Sequence, residues 1–139
     1  YCAENPKGFK GYSDACWGLT ASYSVKGYNA HMPSNDHGVI TPTATLSSYP
    51  YTPEESSKAL KHFYFNLGDS IWGKYGFYDA FSEGENWYPH RYLAIDQCTI
   101  APMIENYRTN LLWNLFMSHP EIQDGLKKLG FTIHNARES

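Results

Sequence analysis

The segment at residues 94–108 constrains the fold most, because its spacing is that of a helix with one buried side. Apolar side chains recur at the i, i+3, i+4 and i+7 positions of a helix face turned to a core: Ile100, Met103, Ile104, Tyr107 and Leu111. Pro102 lacks a backbone N–H and is normally tolerated only in a first turn. We therefore expect this helix to begin close to Thr99.

Two polar residues, Asp96 and Gln97, would then lie in the loop ahead of the helix. The positive end of the helix dipole favours a carboxylate that stays ionised. Further along, Glu105 falls beside the apolar stripe and Arg108 lies nearly above it. A charged aspartate at the mouth of a buried helix is a candidate functional site.

Size and charge narrow the class of protein. A chain of 139 residues with 42% hydrophobic and 18% charged residues predicts one globular domain with a real core. A net charge of -3 and scattered lysines and arginines argue against a nucleic-acid partner. No apolar run approaches the roughly 20 residues of a membrane span. Because Tyr1 stands where an initiator methionine would, we expect a cut or processed start.

Cysteines and histidines do not form a recognisable metal motif. Cys2, Cys16 and Cys98 are an odd set without CxxC spacing, and buried free thiols are the expected state. The six histidines contain no HxxxH pair on a helix. We predict neither a metal nor a cofactor.

Aromatic residues make up 17% of the chain, with 12 Tyr, 7 Phe and 4 Trp. Many lie in turn-rich stretches, such as residues 72–79. One interpretation is a tyrosine-rich core. The other is a sugar cleft, in which pyranose faces stack on aromatic rings while Asp, Asn, Gln and Arg hold the hydroxyls.

Helix signals are clearest in the middle of the chain. Thr52-Pro53-Glu54-Glu55 has the pattern of a capping box, and Gly68 is the expected end of the helix it starts. Its buried stripe comprises Ala59, Leu60, Phe63, Tyr64 and Leu67, with Lys58 and Lys61 facing water. Shorter helices are expected around residues 15–21 and from Thr41-Pro42 onward.

The last third should contain two more helical stretches. The helix of residues 94–108 should bend near Asn110 and continue through Phe116. A second capping box at residues 118–121 starts a helix with one apolar face, a stop at Gly130 and a short tail; these apolar positions are Ile122, Leu126, Leu129, Phe131 and Ile133.

Strand signals are few, so the predicted fold class is all-α, with short helices joined by long aromatic loops. No internal repeat of fixed period is present. The apolar faces around residues 100–116 are wide for a chain with five or six helices. They indicate partner helices that this chain does not contain.

Five motifs in order resemble a known family: Trp17-Gly18-Leu19-Thr20-Ala21-Ser22, the segment 36–44, Pro50-Tyr51-Thr52-Pro53-Glu54-Glu55, the segment 72–81, and Ile95-Asp96-Gln97 followed by the segment 103–108. Together they make the chain, over about residues 1–131, similar to the glucoamylase-like domain family of Bacteroidetes and other bacteria. That family includes the endo-β-1,2-glucanases of glycoside hydrolase family 144. Members often carry Gly-Pro after the Asp-Gln, where this chain has Cys98-Thr99.

The resemblance implies an (α/α)6 barrel, of which residues 1–139 would form only the C-terminal part of a single domain. The remaining N-terminal part would then be a partner in the fold. It also implies a glycoside hydrolase whose substrate is an oligo- or polysaccharide. The resemblance to endo-β-1,2-glucanases makes a β-linked glucan the expected substrate and inversion of configuration the expected outcome. Export to the periplasm or beyond the cell is expected from the family alone.

The resemblance also suggests roles for residues, each with a plain structural alternative. Asp96 would be the general base, or the first link of a proton relay to the attacking water; otherwise it is a helix cap. The general acid is expected in the N-terminal part. Within the chain Glu105 is the second candidate, against a role as the ion-pair partner of Arg108 that orders the helix.

Substrate-binding candidates divide into polar and aromatic groups. Asp36 and Asp79 would hold sugar hydroxyls or act as turn residues, and Gln97 and Arg108 would add polar contacts. Trp17, Trp72 and Trp87 would stack on sugar rings or pack in the core. Two other functions stay open, a non-catalytic carbohydrate-binding module and a purely structural helical fragment.

Overall fold

The computed structural model describes residues 1–132, which form helices and short hairpins joined by loops. In chain order the elements are β1 (Ala21–Ser24), β2 (Gly27–Ala30), α1 (Pro42–Leu46), α2 (Pro53–Phe65), α3 (Gly68–Ile71), β3 (Trp72–Gly73), β4 (Gly76–Phe77), α4 (Ala94–Thr109), α5 (Leu111–Met117) and α6 (Pro120–Lys128). The helix-rich prediction is confirmed. No helix within these residues is both long and apolar enough to cross a membrane.

The all-α prediction needs one correction, because the described chain contains two antiparallel hairpins. β1 pairs with β2 from Ala21↔Ala30 to Ser24↔Gly27, and β3 pairs with β4 through Trp72↔Phe77. Strands of four and two residues are too short to show the alternation by which a strand is recognised.

The prediction of a helix around residues 15–21 is wrong. Gly18 has φ +135, outside the helical region, and its carbonyl accepts a hydrogen bond from Thr41 N (3.0 Å).

Helix α2 carries the centre of the core. Pro53 occupies its first turn beside Glu54 and Glu55, whose charges suit the positive end of the helix. Ala59 and Phe63 are fully buried, and the Phe63 ring meets Phe77 and Phe81 edge-on at centroid distances of 6.0 and 5.8 Å. These contacts place the core between α2 and the loops around β4.

The predicted details of α2 hold only in part. Tyr64 is 49% exposed, so the buried stripe is narrower than predicted, whereas Lys58 and Lys61 do face water. Thr52 makes no side-chain cap bond; its hydroxyl donates to Ser48 O (3.2 Å), which removes it from the capping box. The helix ends at Phe65, and Gly68 begins α3 instead of ending α2.

Helix α4 begins at Ala94, five residues before the expected start at Thr99. Leu93 O accepts Asp96 N (3.1 Å) and Gln97 N (2.9 Å), which forms a full turn ahead of the proline. Pro102 therefore lies inside the helix, although an internal proline costs about 3 kcal/mol. Cys98 becomes an exposed helical position, so the expectation of buried thiols is confirmed for Cys2 and Cys16 and wrong for Cys98.

The chain divides into two compact units, at residues 1–104 and from Glu105 onward. In the second unit, Asn110 adopts a left-handed conformation (φ 56) between α4 and α5, which confirms the predicted break. Gly130 at φ +81 follows the end of α6, as predicted. The second capping box is wrong, because His119, not Ser118, lies at the N-cap of α6 and its side chain makes no cap bond. Ile133 lies outside the described residues.

Candidate active site

Two carboxyl groups meet in the first unit, one from the loop after β4 and one from the first turn of α4. Asp79 is 4% exposed; its N–H donates to Arg91 O (2.8 Å) and its Oδ2 accepts Tyr23 N from β1 (3.3 Å). Asp96 is partly buried in the first turn of α4. The loop and β1 therefore hold Asp79 from two sides, while the helix start presents Asp96.

Hydroxyl groups fix the start of α4. The Asp96 carbonyl accepts hydrogen bonds from Thr43 Oγ1 (2.6 Å) and Thr99 Oγ1 (2.9 Å). Thr43 belongs to α1, so its bond joins the two helices at this point. The side chain of Asp96 is thereby attached to a backbone that is held by α1, which suits a residue whose position must be accurate.

The surroundings of Asp96, including Asp79, raise the pKa of its carboxyl group. Burial, then a hydrogen bond with Asp79, then the charge of Asp79 raise the pKa of Asp96 to about 7. Asp79 Oδ1 and Asp96 Oδ2 are buried and have no hydrogen-bond partner among the described residues. A proton on Asp96 relieves this arrangement, because two adjacent carboxylates cannot both ionise without a large cost.

This result corrects the expectation that Asp96 stays ionised. The helix dipole contributes about 0.3–1 kcal/mol at an exposed site, and it acts in favour of the charged form. Burial and the neighbouring Asp79 act in the opposite direction and outweigh it. Sequence reasoning missed the pair because nothing in the local pattern places Asp79 next to Asp96.

His31, which sequence analysis did not select, is a further buried polar group. It is 3% exposed, and neither ring nitrogen has a side-chain or backbone acceptor or donor in good geometry within the described chain. Burial, and then the nearby His37, lower its pKa, while a backbone contact with Ser22 and the charges of Asp36 and Asp79 oppose that shift. A neutral imidazole within electrostatic range of Asp79 is suited to hydrogen-bond a polar ligand.

Arg91 and Tyr23 surround Asp79. The guanidinium of Arg91 lies 4.2 Å from the centre of the Tyr23 ring, a cation–π contact. The same two residues bond Asp79 through their backbones. Neither was among the predicted site residues, because a stacking contact between distant segments of the chain leaves no sequence motif.

The side chain of Gln97 is hydrogen-bonded to the turn between β3 and β4. Its Nε2 donates to Tyr75 O (2.9 Å), and a Cβ on Gly76 would lie 2.9 Å from the same nitrogen. The side chain thus connects the start of α4 to the hairpin. Its carbonyl oxygen is the part that is left for a ligand.

Both carboxylate oxygens of Asp36 accept hydrogen bonds from other residues of the chain. Its Oδ1 accepts Tyr12 OH (2.6 Å) and Gly38 N (3.0 Å), and its Oδ2 accepts Tyr1 OH (3.0 Å). Burial and the charge of Asp36 raise the pKa of Tyr12, so this phenol remains the donor. The geometry favours the structural alternative for Asp36, as the residue that orders its loop.

The three candidate tryptophans differ in exposure. Trp17 is half-buried and packs against the core, and the half-buried Trp87 exchanges backbone hydrogen bonds with Ser82 (both 2.9 Å). Trp72 is 45% exposed and meets Tyr64 and Phe77 edge-on, at 5.2 and 4.7 Å. Of the three, Trp72 offers the most open surface for a sugar ring.

In the second unit, Glu105 and Arg108 pair with each other. Arg108 Nη1 lies 2.9 Å from Glu105 Oε2, and Thr109 Oγ1 donates to Glu105 Oε1 (3.0 Å). Both side chains are substantially exposed, at 38% for Glu105 and 68% for Arg108. These contacts favour the helix-ordering role that was the alternative to catalysis.

Comparison with known proteins identifies relatives with this architecture. The family described as putative glucoamylase (Glycoamylase) matches residues 1–120. An endo-β-1,2-glucanase from Chitinophaga pinensis, solved with sophorotriose and glucose, is 65% identical; the match covers 92% of this chain and 31% of that chain, with a TM-score of 0.89. A putative glucoamylase from Bacteroides uniformis is 64% identical, over 95% of this chain and 32% of that one, with a TM-score of 0.93.

A curated relative has a more specific name. The exo-β-1,2-glucooligosaccharide sophorohydrolase (non-reducing end) of Parabacteroides distasonis is 51% identical over 131 residues, which is 93% of this chain and 18% of the relative. The chain thus spans about a third or less of the proteins it matches. The family match over residues 1–120 and the shared architecture show that the chain belongs to the putative glucoamylase family.

Proposed function

We propose that this chain is part of a glycoside hydrolase that cleaves β-1,2-linked glucan. The carboxyl pair Asp79–Asp96 carries the proposal, because it supplies a group that can exchange a proton near neutral pH. The names of the relatives, an endo-β-1,2-glucanase and a β-1,2-glucooligosaccharide sophorohydrolase, supply the substrate class.

In the proposed mechanism, Asp96 is the general base. Above its pKa of about 7 the carboxylate accepts a proton from the attacking water, directly or through a relay. The negative charge of Asp79 keeps this base strong, because it favours the protonated form of Asp96. Inversion requires the second carboxyl group to stand roughly 6.5–9.5 Å away, which leaves room for the water.

The N-terminal part of the same domain would supply the general acid and the other wall of the cleft. Helix α5 supports such a partner, because none of its residues is buried within the described chain. The lengths of the relatives, of which this chain spans about a third or less, agree with it. The fold so completed would be the (α/α)6 barrel that the resemblance implies. Export to the periplasm or cell surface remains a prediction from the family.

The test is product analysis with the full-length protein that carries this chain. Linear β-1,2-, β-1,3- and β-1,4-glucans are incubated with it, and the products are separated by chromatography. We expect short β-1,2-gluco-oligosaccharides from the first substrate alone. If no glucan is cut while one of them still binds, the protein is a carbohydrate-binding module and the hydrolase proposal is wrong.

A further inference from the structure

We propose that Cys16, His62 and Glu83 form a binding site for one zinc ion in the first unit. One ligand atom from each side chain lies within 4.8 Å of the other two. The site shares no residue with the Asp79–Asp96 pair, and it does not depend on the hydrolase proposal. Sequence analysis found no metal motif because the three residues come from separate segments of the chain.

Each ligand stands on a fixed segment. Cys16 is 1% exposed, in a turn where its N–H and C=O both bond Ser13 (3.3 and 3.0 Å). His62 lies in the last turn of α2, next to the fully buried Phe63. A Cβ on Gly11 would lie 2.4 Å from Glu83 Oε1, so the carboxylate packs closely on that backbone. Three independently held segments therefore converge on one point.

The imidazole of His62 has an unmet requirement. Its Nε2 is buried and has no hydrogen-bond partner among the described residues. A buried polar nitrogen without a partner costs free energy, and metal coordination is one way in which a histidine nitrogen is satisfied. The unpartnered nitrogen belongs to one of the three proposed ligand residues and supports the binding of an ion there.

The donor set and its charge select the metal. A thiolate, an imidazole and a carboxylate suit Zn²⁺, whereas Ca²⁺ and Mg²⁺ prefer oxygen ligands alone. The two anionic ligands neutralise the charge of a divalent ion, so the loaded site would carry no net charge into the protein interior. Zinc would bind the Cys16 sulfur as a thiolate, so metal binding would release the thiol proton to solvent.

Little rearrangement is required. In a tetrahedral zinc site with bonds of about 2.0–2.3 Å, neighbouring ligand atoms lie roughly 3.5 Å apart. The three atoms lie within 4.8 Å of one another, so they would have to approach by roughly 1 Å at most to reach that value. His62 also borders an open surface depression together with Ala15 and Asn66. Glu54, Lys58 and Lys61 give that depression a mixed charge.

The experiment uses the full-length protein without a histidine tag, stripped of metal by a chelator. Zinc is titrated by calorimetry, and Co²⁺ is then bound in its place to record the absorption spectrum. We expect one Zn²⁺ per chain with a Kd below about 1 µM, and a near-ultraviolet thiolate-to-cobalt charge-transfer band. Zinc should also raise the Tm.

Variants identify the ligands. Glu83→Gln, a near-isosteric change at a half-buried position, should weaken zinc binding about 100-fold or more, and Cys16→Ser should also abolish the charge-transfer band. Cys98→Ser and His90→Gln, at exposed positions, are the matched controls and should change neither. Circular dichroism confirms that each variant is folded. Failure to bind zinc, binding without a thiolate band, or equal binding by Glu83→Gln would overturn the proposal.

Discussion

The two units of the chain contain similar apolar side chains but bury them very differently. In the first unit Phe63, Phe81 and Leu46 are almost completely buried. In the second, Leu115 and Phe116 of α5 are 62% and 60% exposed. Burial of apolar area is the main stabilising term in folding, so α5 lacks what the first unit has within this chain. The partner surface proposed above for α5 would account for this difference.

The largest effect on stability is expected from a substitution in the core of the first unit. Phe63→Ala should lower the free energy of unfolding by about 3–5 kcal/mol, because it removes a fully buried ring and leaves a cavity. Denaturant unfolding of the full-length protein measures it. Tyr64→Ala, at the neighbouring position that is 49% exposed, is the control and should cost clearly less. Equal losses would show that this core is not the stabilising centre.

Leu115→Ala tests whether α5 is covered in the full-length protein. If an N-terminal part packs on it, the change should cost about 2–3 kcal/mol, as for a buried leucine. Val25→Ala, at a position that is 56% exposed between β1 and β2, should stay within about 0.5 kcal/mol. A loss for Leu115→Ala no larger than this control would argue against the covering partner.

A smaller effect is expected when the charge next to Asp96 is removed. As pH falls through the Asp96 pKa of about 7, the base is protonated, so activity should decline on the acid side. Asp79 raises that pKa, and Asp79→Asn should lower it because burial alone remains. The acid limb of kcat/KM should therefore move down by about one pH unit. An acid limb that is unchanged or shifted upward would show that Asp79 does not raise the pKa of the catalytic base.

The smallest effect is expected at the exposed pair in the second unit. Glu105→Gln breaks an ion pair with Arg108 that is largely exposed, and such pairs contribute about 0.2–1 kcal/mol. Turnover should stay within about threefold of the wild-type value. A loss as large as that of a general base would instead make Glu105 catalytic.

The sequence predicts part of the fold, and both Asp79 and Asp96 are candidates there, but it does not predict that they lie together. The helix of residues 53–65 was recognised because its proline, acidic first turn and apolar spacing are all local. The start of α4 was misplaced because the rule for proline in a first turn was applied to Pro102, which the helix accommodates in its interior.

The rest depends on contacts between distant segments. Asp96 is a candidate because of its place near a helix start, but its raised pKa comes from burial and then from Asp79, which no local pattern reports. The same holds for the cluster of Cys16, His62 and Glu83. Asp36 looked like a ligand group in a polar loop, and only the positions of Tyr1 and Tyr12 show that the protein uses its oxygens.

The most direct test of the account is the turnover of the Asp96→Asn variant on linear β-1,2-glucan, with glucan affinity measured in parallel. The full-length protein is used, and Glu105→Gln is the matched control. We expect kcat to fall by about 10²–10⁴-fold, because asparagine cannot accept the proton, while the Kd for glucan stays within about threefold. A kcat within about tenfold of wild type would contradict the role of Asp96 as the base.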